Sequence, residues 1–127
     1  MLYLWIALGS ALGGMARYFS NGMAAAILGP AFPWGTMFVN VVGSFVIGLV
    51  AAMTGPDSRF FASVEIRQFV MTGILGGFTT FSSFSLQTLN LIQDGEWFYA
   101  SANVMVTVAL CLVGVWLGYL AGQAFNG

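Results

Sequence analysis

Three observations predict an all-α membrane protein with four transmembrane helices per subunit and a break in the third. The 127-residue chain is 59% hydrophobic and only 6% charged, with a mean hydropathy of +0.91, whereas a soluble domain carries about a quarter charged residues. Glycine, proline and acidic breakers divide it into four apolar stretches, each long enough for the roughly 20 residues that a helix needs to cross the hydrocarbon core. Inside the third stretch stands GGFTTFSSFS, Gly76 to Ser85, whose adjacent glycines and five hydroxyls oppose an ordinary membrane helix. Non-helical backbone at membrane depth survives only where protein buries it or where it lines a water-filled path. Interrupted helices also recur at ion sites near the midplane, so this stretch is expected to form a pore or an ion site.

The first helix is expected over about 2–28 and ends at Gly29-Pro30. The second, over 34–54, begins after Pro33 and ends near Gly55-Pro56. A polar linker, PDSRFFASVE, then holds Asp57, Arg59 and Glu65. The third helix is expected over 66–93, with its break from Gly76 to Thr80, and the turn Asp94-Gly95-Glu96 leads to a fourth over 97–125. Residues 1–127 thus read as a single four-helix transmembrane domain. Met1 to Ala16 carries no charge, and a signal peptide needs a basic start, so the N-terminus is read as mature structure.

Net charge is −1, with no lysine and no histidine, which offers nothing to a nucleic acid. The lone Cys111 excludes an intramolecular disulfide and a cysteine metal cluster, and is expected as a buried small side chain. No acidic residue, lysine or histidine lies deep in a span, so there is neither a proton relay nor an acid and base pair for catalysis; an enzyme is not expected. With four spans, Arg59 and Arg67 fall on one side and Arg17 on the other. The arginine bias that sets orientation is then two against one, which leaves open insertion in both orientations or an orientation set by another feature. Glycines spaced by four, Gly9 and Gly13, Gly73 and Gly77, and Gly114, Gly118 and Gly122, are expected to be packing faces, since small residues let helix backbones approach in lipid. Four helices enclose little room for a pathway, so an oligomer is expected.

Thr36, Asn40 and Ser44 form one polar stripe on the second helix. Asn40 falls about 9 Å deeper than Trp34 at 1.5 Å per residue, where it serves either an interhelical hydrogen bond or an ion. On the third helix Phe81 and Phe84 share a face, as do Thr80, Ser83 and Gln87. Aromatic ring edges are electropositive, and with an amide N–H they make an anion-friendly wall without a full charge. Carbonyls freed by a break at Gly76 to Thr80 suit a small cation instead. Asn103, Thr107 and Cys111 repeat the pattern on the fourth helix, where a structural role is favoured because threonine often bonds its own helix backbone. Arg17 lies about 22 Å along the first helix from Leu2, and either snorkels to headgroups or attracts anions into a vestibule.

The segments GGMARYF (Gly13 to Phe19), PWGTMFVNVVGSFVIG (Pro33 to Gly48) and TGILGGFTTFSSFS (Thr72 to Ser85) resemble, in order and spacing, the three signature blocks of the Fluc family of bacterial fluoride channels. The fourth helix matches loosely, through WLG at Trp116 to Gly118. The resemblance implies a homodimer of four-helix subunits inserted antiparallel in the bacterial inner membrane, with two passive fluoride pores at the subunit interface that lower cytoplasmic fluoride. It makes Phe81, Phe84 and Asn40 pore residues and Thr107 part of a polar track, with Ser83 and Thr80 beside them. It also implies a structural sodium ion (Na+) at the dimer centre, held by the backbone carbonyls of Gly76 and Thr79 from both subunits. Arg17, Thr36, Ser44, Gln87 and Asn103 are further candidates. The chain departs from the family at Gln87, where members usually carry glutamate, and at Asn103, where many carry tyrosine. The competing readings are a small dual-topology drug transporter, which needs an embedded carboxylate, and a non-conducting structural membrane subunit.

Overall fold

The computed structural model describes residues 1–55 and 62–126; Asp57 and Arg59 of the expected linker lie outside them. All regular structure among the described residues is helical. Helix α1 spans Leu2–Leu28 and stops where Gly29 turns to φ 86°, a conformation that glycine adopts without a Cβ penalty, its N–H bonding the Ala25 carbonyl at 3.0 Å. Helix α2 spans Trp34–Met53. The next segment is composite: α3 (Val64–Gln68), a π-helix (Phe69–Leu75), α4 (Gly76–Phe78), two extended residues, and α5 (Phe81–Gln93). Helix α6 spans Trp97–Asn126.

Ser63 starts α3 by accepting a hydrogen bond from the Ile66 N–H at 3.2 Å, which satisfies one of the orphan donors of a helix N-terminus. Arg67 then ties this segment back to the end of α2, its Nε donating to Thr54 Oγ1 at 2.9 Å. The departure from helix is narrower than the expected break at Gly76 to Thr80. Gly76 remains helical at φ −63° and ψ −37°. The extended residues are Thr79 at φ −87° and ψ 158° and Thr80 at φ −157° and ψ 107°, and β-branched side chains favour such backbone. Ahead of the break the chain winds more widely than an α-helix, in a π-helix seven residues long.

Two close helix pairs make the scaffold. Helix α1 lies along the π-helix and α4, and α2 lies along α6. Glycine permits both contacts: a Cβ on Gly9 would stand 2.9 Å from the Gly73 Cα, one on Gly77 would stand 2.6 Å from the Ser10 carbonyl oxygen, and one on Gly118 would overlap the Phe45 carbonyl. In lipid no hydrophobic force draws helices together, so backbone proximity and dispersion must do it. Gly114 is looser than its expected partners in the stripe, since its Cβ would have 3.4 Å to the Val41 carbonyl oxygen.

The exterior carries Tyr3, Phe19, Met105, Leu112 and Trp116, whereas Thr36, Asn40, Thr80, Asn103 and Thr107 are buried. Apolar outside and polar within is the arrangement of a multi-pass membrane protein. Three helical segments, Trp34–Met53, Val64–Gln93 and Trp97–Asn126, are long and apolar enough to cross a membrane. Helix α1 is long enough at 27 residues, but Ser10, Arg17, Ser20 and Asn21 dilute its apolar character.

Candidate functional site at the α4–α5 break

The break exposes backbone groups that a continuous helix would pair, and α2 supplies their partner. Asn40 Nδ2 donates to the Thr80 carbonyl at 3.1 Å, while the Thr80 N–H donates to Asn40 Oδ1 at 2.7 Å. One side-chain amide therefore satisfies both backbone groups of one extended residue, as a neighbouring β-strand would. Gly43, one turn further along α2, leaves room for this approach, because a Cβ there would overlap Thr79 Cγ2. Thr80 in turn caps α5: its Oγ1 accepts from the Ser83 N–H at 3.1 Å and its hydroxyl donates to Ser83 Oγ at 3.0 Å. Thr80 is a structural hub, with its hydroxyl fully engaged. The Ser83 hydroxyl keeps its own proton for another acceptor.

A cleft of about 350 Å³ opens beside the break, with Asn40, Ser44, Thr79, Phe81, Phe84 and Thr107 on its walls. Phe81 and Phe84 stand 5.3 Å apart between ring centroids with planes tilted by 50°. They differ in setting, since Phe84 is 6% exposed and Phe81 75% exposed in the single chain. Asn40 has two N–H bonds and gives one to Thr80, so the other can serve the cleft. Cys111, expected as a buried side chain, is half-buried and also lines the cleft.

The α6 candidates are linked to α5 in series. The Thr107 hydroxyl donates to Asn103 Oδ1 at 3.2 Å, Asn103 Nδ2 donates to Thr88 Oγ1 at 2.9 Å, and the Thr88 hydroxyl donates to the Phe84 carbonyl at 2.8 Å. Asn103 is only 1% exposed. It therefore anchors α6 to α5 behind the cleft wall, and the Thr107 oxygen presents lone pairs while its proton is engaged. Thr36 and Gln87 do not line the cleft; they lie together in a second cavity nearer the 29–33 turn.

Arg17 reaches the break, where its Nε donates to the Gly77 carbonyl at 2.9 Å. The contact joins residues sixty apart in sequence, and nothing in local spacing signals it. The Leu75 carbonyl is taken too, by both the N–H and the hydroxyl of Thr79 at 3.0 Å. The carbonyls of Gly76 and Thr79 differ: their usual helical donors, the N–H groups of Thr80 and Ser83, are diverted to Asn40 and to Thr80 Oγ1. Both residues line the cleft. Neutral carbonyl oxygens suit a hard monovalent cation, so this donor set fits sodium, but two oxygens from one chain do not enclose an ion. No group of three His, Cys, Asp or Glu that could hold a metal occurs among the described residues.

The family profile described as "CrcB-like protein, Camphor Resistance (CrcB)" matches residues 4–119. A protein of Opitutus terrae named fluoride-specific ion channel FluC is 57% identical over 125 residues, covering 98% of this chain and 95% of that protein. Its namesake in Rhodospirillum rubrum is 52% identical over 126 residues, covering 99% and 98%. Another in Geobacter sulfurreducens is 50% identical over 120 residues, covering 94% and 95%.

Proposed function

The chain belongs to the CrcB-like family, and from that membership we propose that it is a fluoride-specific ion channel and not an enzyme. The observation that carries this reading is identity of 50–57% to proteins named as such channels across nearly the whole of both chains. The site supports it chemically. Fluoride is small and strongly hydrated, so a pore must replace its water with donors that are adequate but not trapping. The free N–H of Asn40 and the ring edges of Phe81 and Phe84, all on the cleft wall, are donors of that moderate kind. A deep lysine or histidine would hold the ion too tightly, and none exists in the chain.

In this reading all four long segments, α1 included, cross the inner membrane of a bacterium as one domain. Two chains pair antiparallel, and each cleft becomes a fluoride path against the partner. Pairing explains why Phe81 is so exposed in one chain. The Gly76 and Thr79 carbonyls of both copies would hold a sodium ion, whose charge would offset the partial negative charge of those oxygens at the break. Conduction is passive, because Gln87 cannot exchange a proton and no acidic residue is embedded; fluoride left behind when hydrogen fluoride dissociates inside the cell runs out down its gradient.

Liposomes loaded with fluoride and monitored by an electrode test this directly. Wild-type protein is expected to release fluoride at a rate indifferent to a proton gradient, and Phe81→Ile to slow release while remaining dimeric. No release from correctly assembled wild-type protein would sink the channel reading, whereas unchanged release by Phe81→Ile would remove only that ring from the path. Replacing sodium with a bulky organic cation is expected to lower the melting temperature of the dimer; an unchanged melting temperature counts against the sodium site.

A further inference from the structure

The two helix pairs of the scaffold meet along a seam, and on the side of α2 away from the cleft that seam is open. Two residues turn a helix by about 200°, so Phe38 faces nearly opposite to Asn40. On that side an apolar groove of about 640 Å³ runs between α1 and α2, with Met23 and Ile27 on one wall, Phe38 and Val42 on the other, and Leu110 of α6 beside them. Towards the 29–33 turn it continues into a second space of about 420 Å³, the two sharing Leu28, Trp34 and Met37. Aromatic rings surround this second space: Phe32, Trp34, Phe98 and Tyr99 all line it. The Phe32 ring stands 4.7 Å from that of Trp34 and 5.9 Å from that of Tyr99, between centroids. The groove reaches from Leu28 to Phe19 on α1 and from Trp34 to Val42 on α2, which is about 12–14 Å at 1.5 Å per residue. One leaflet of the hydrocarbon core is about 15 Å deep.

A groove one leaflet deep that opens among aromatic residues, the side chains that collect at membrane interfaces, has the dimensions of a single acyl chain below its headgroup. Apolar walls alone select no occupant, because a chain that enters the groove only exchanges one apolar medium for another. Selection therefore falls to the aromatic end. Ring faces attract ammonium groups, and the charged residues of the adjoining turn, Asp94 and Glu96, are both acidic. Among the described residues no arginine stands at this end, since Arg67 is bonded to Thr54 at the far end of α2 and Arg17 to Gly77 at the break. An anionic headgroup would meet like charge here, and a headgroup with an ammonium group meets its complement. We propose that each chain holds one phospholipid with an ammonium headgroup, of the phosphatidylethanolamine class, its acyl chain between α1 and α2 and its ammonium group against the aromatic cluster. The lipid fills the seam and so joins α1 to the α2–α6 pair. The partner chain proposed above closes the cleft on the other side of α2, which leaves this groove to lipid. The proposal needs a membrane-embedded chain and not fluoride conduction.

The test is native mass spectrometry of the full-length protein in detergent, given equal amounts of dioleoyl phosphatidylethanolamine and dioleoyl phosphatidylglycerol. The wild type is expected to retain one phosphatidylethanolamine per chain, several-fold in excess of phosphatidylglycerol. Equal retention of the two, an excess of phosphatidylglycerol, or no retained lipid overturns the proposal, as does a wild type that carries no lipid and assembles through this face into larger oligomers. Ala24 lines the groove, so Ala24→Phe places a ring where the acyl chain would lie and is expected to lose the bound lipid several-fold. Leu110→Phe gives the same test from α6 should Ala24→Phe fail to assemble, and wild-type retention in the assembled variant overturns the site. Phe98→Leu combined with Tyr99→Leu keeps the groove apolar and should retain lipid with its headgroup preference lost; an unchanged preference overturns the aromatic assignment. Bound lipid is read without reference to fluoride release, so failure of the channel reading would leave this result standing.

Discussion

Both ends of the Asn40 amide are bonded to Thr80, so this one side chain holds the break open and also faces the cleft. The two roles separate by substitution. Asn40→Ala removes both bonds and leaves a buried N–H and C=O unpaired, so stability in detergent should fall by about 1–3 kcal/mol together with fluoride release. Asn40→Asp keeps an acceptor for the Thr80 N–H but loses the donors, and should lose release by a larger factor than its melting temperature suggests; equal losses in the two variants would make Asn40 purely structural. Spacing alone placed Asn40 on a polar stripe with Thr36 and Ser44, because a four-residue interval is a property of the helix itself. Its bond to Thr80 spans forty residues and leaves no local mark. The same holds for the bond from Arg17 Nε to the Gly77 carbonyl, which spans sixty residues.

Helices in this chain are positioned by what their glycines allow. The four-residue glycine spacing is legible because contact faces of helices repeat with the helical turn, and the structure pairs these faces as α1 with the π-helix and α2 with α6. Gly118→Ala would drive a methyl into the Phe45 carbonyl, and overpacking of this kind typically costs about 1–3 kcal/mol. That variant should melt earlier, whereas Gly22→Ala, with nothing within 4 Å of its Cβ, should melt no earlier than wild type. Similar melting temperatures for the two would show that α2 and α6 accommodate the added methyl. The π-helix was not legible. A wider turn changes the hydrogen-bond ladder and not the type of residue used, and FVMTGIL reads equally well as α-helix. Nor does a glycine pair locate the break, since Gly76 stays helical while Thr79 and Thr80, stiff at Cβ and able to cap, are the residues that extend.

With three arginines and four acidic residues in all, the molecule carries few topological signals, and the antiparallel pairing proposed above would require both orientations. In a Cys111→Ser background, Asp94→Cys should react with an impermeant thiol reagent from either side of the membrane, each time in only part of the molecules; complete labelling from one side would exclude dual insertion. The apolar character of the chain, and with it the membrane, is legible from composition, because a helix surface in lipid has to be apolar almost everywhere. The crossing proposed for α1 is harder to read, since Ser10, Arg17, Ser20 and Asn21 weaken the signal of a span. The Asn40–Thr80 pair also bears on how the protein is made. Chains leave the ribosome N-terminus first, so α2 is synthesised forty residues ahead of the break that it serves. A nascent third segment brings unpaired backbone into a solvent that cannot bond it, and the amide that will receive it is already in the bilayer. The order of the helices along the chain is thus itself part of the folding instructions, placing the receptor in the membrane before its ligand arrives.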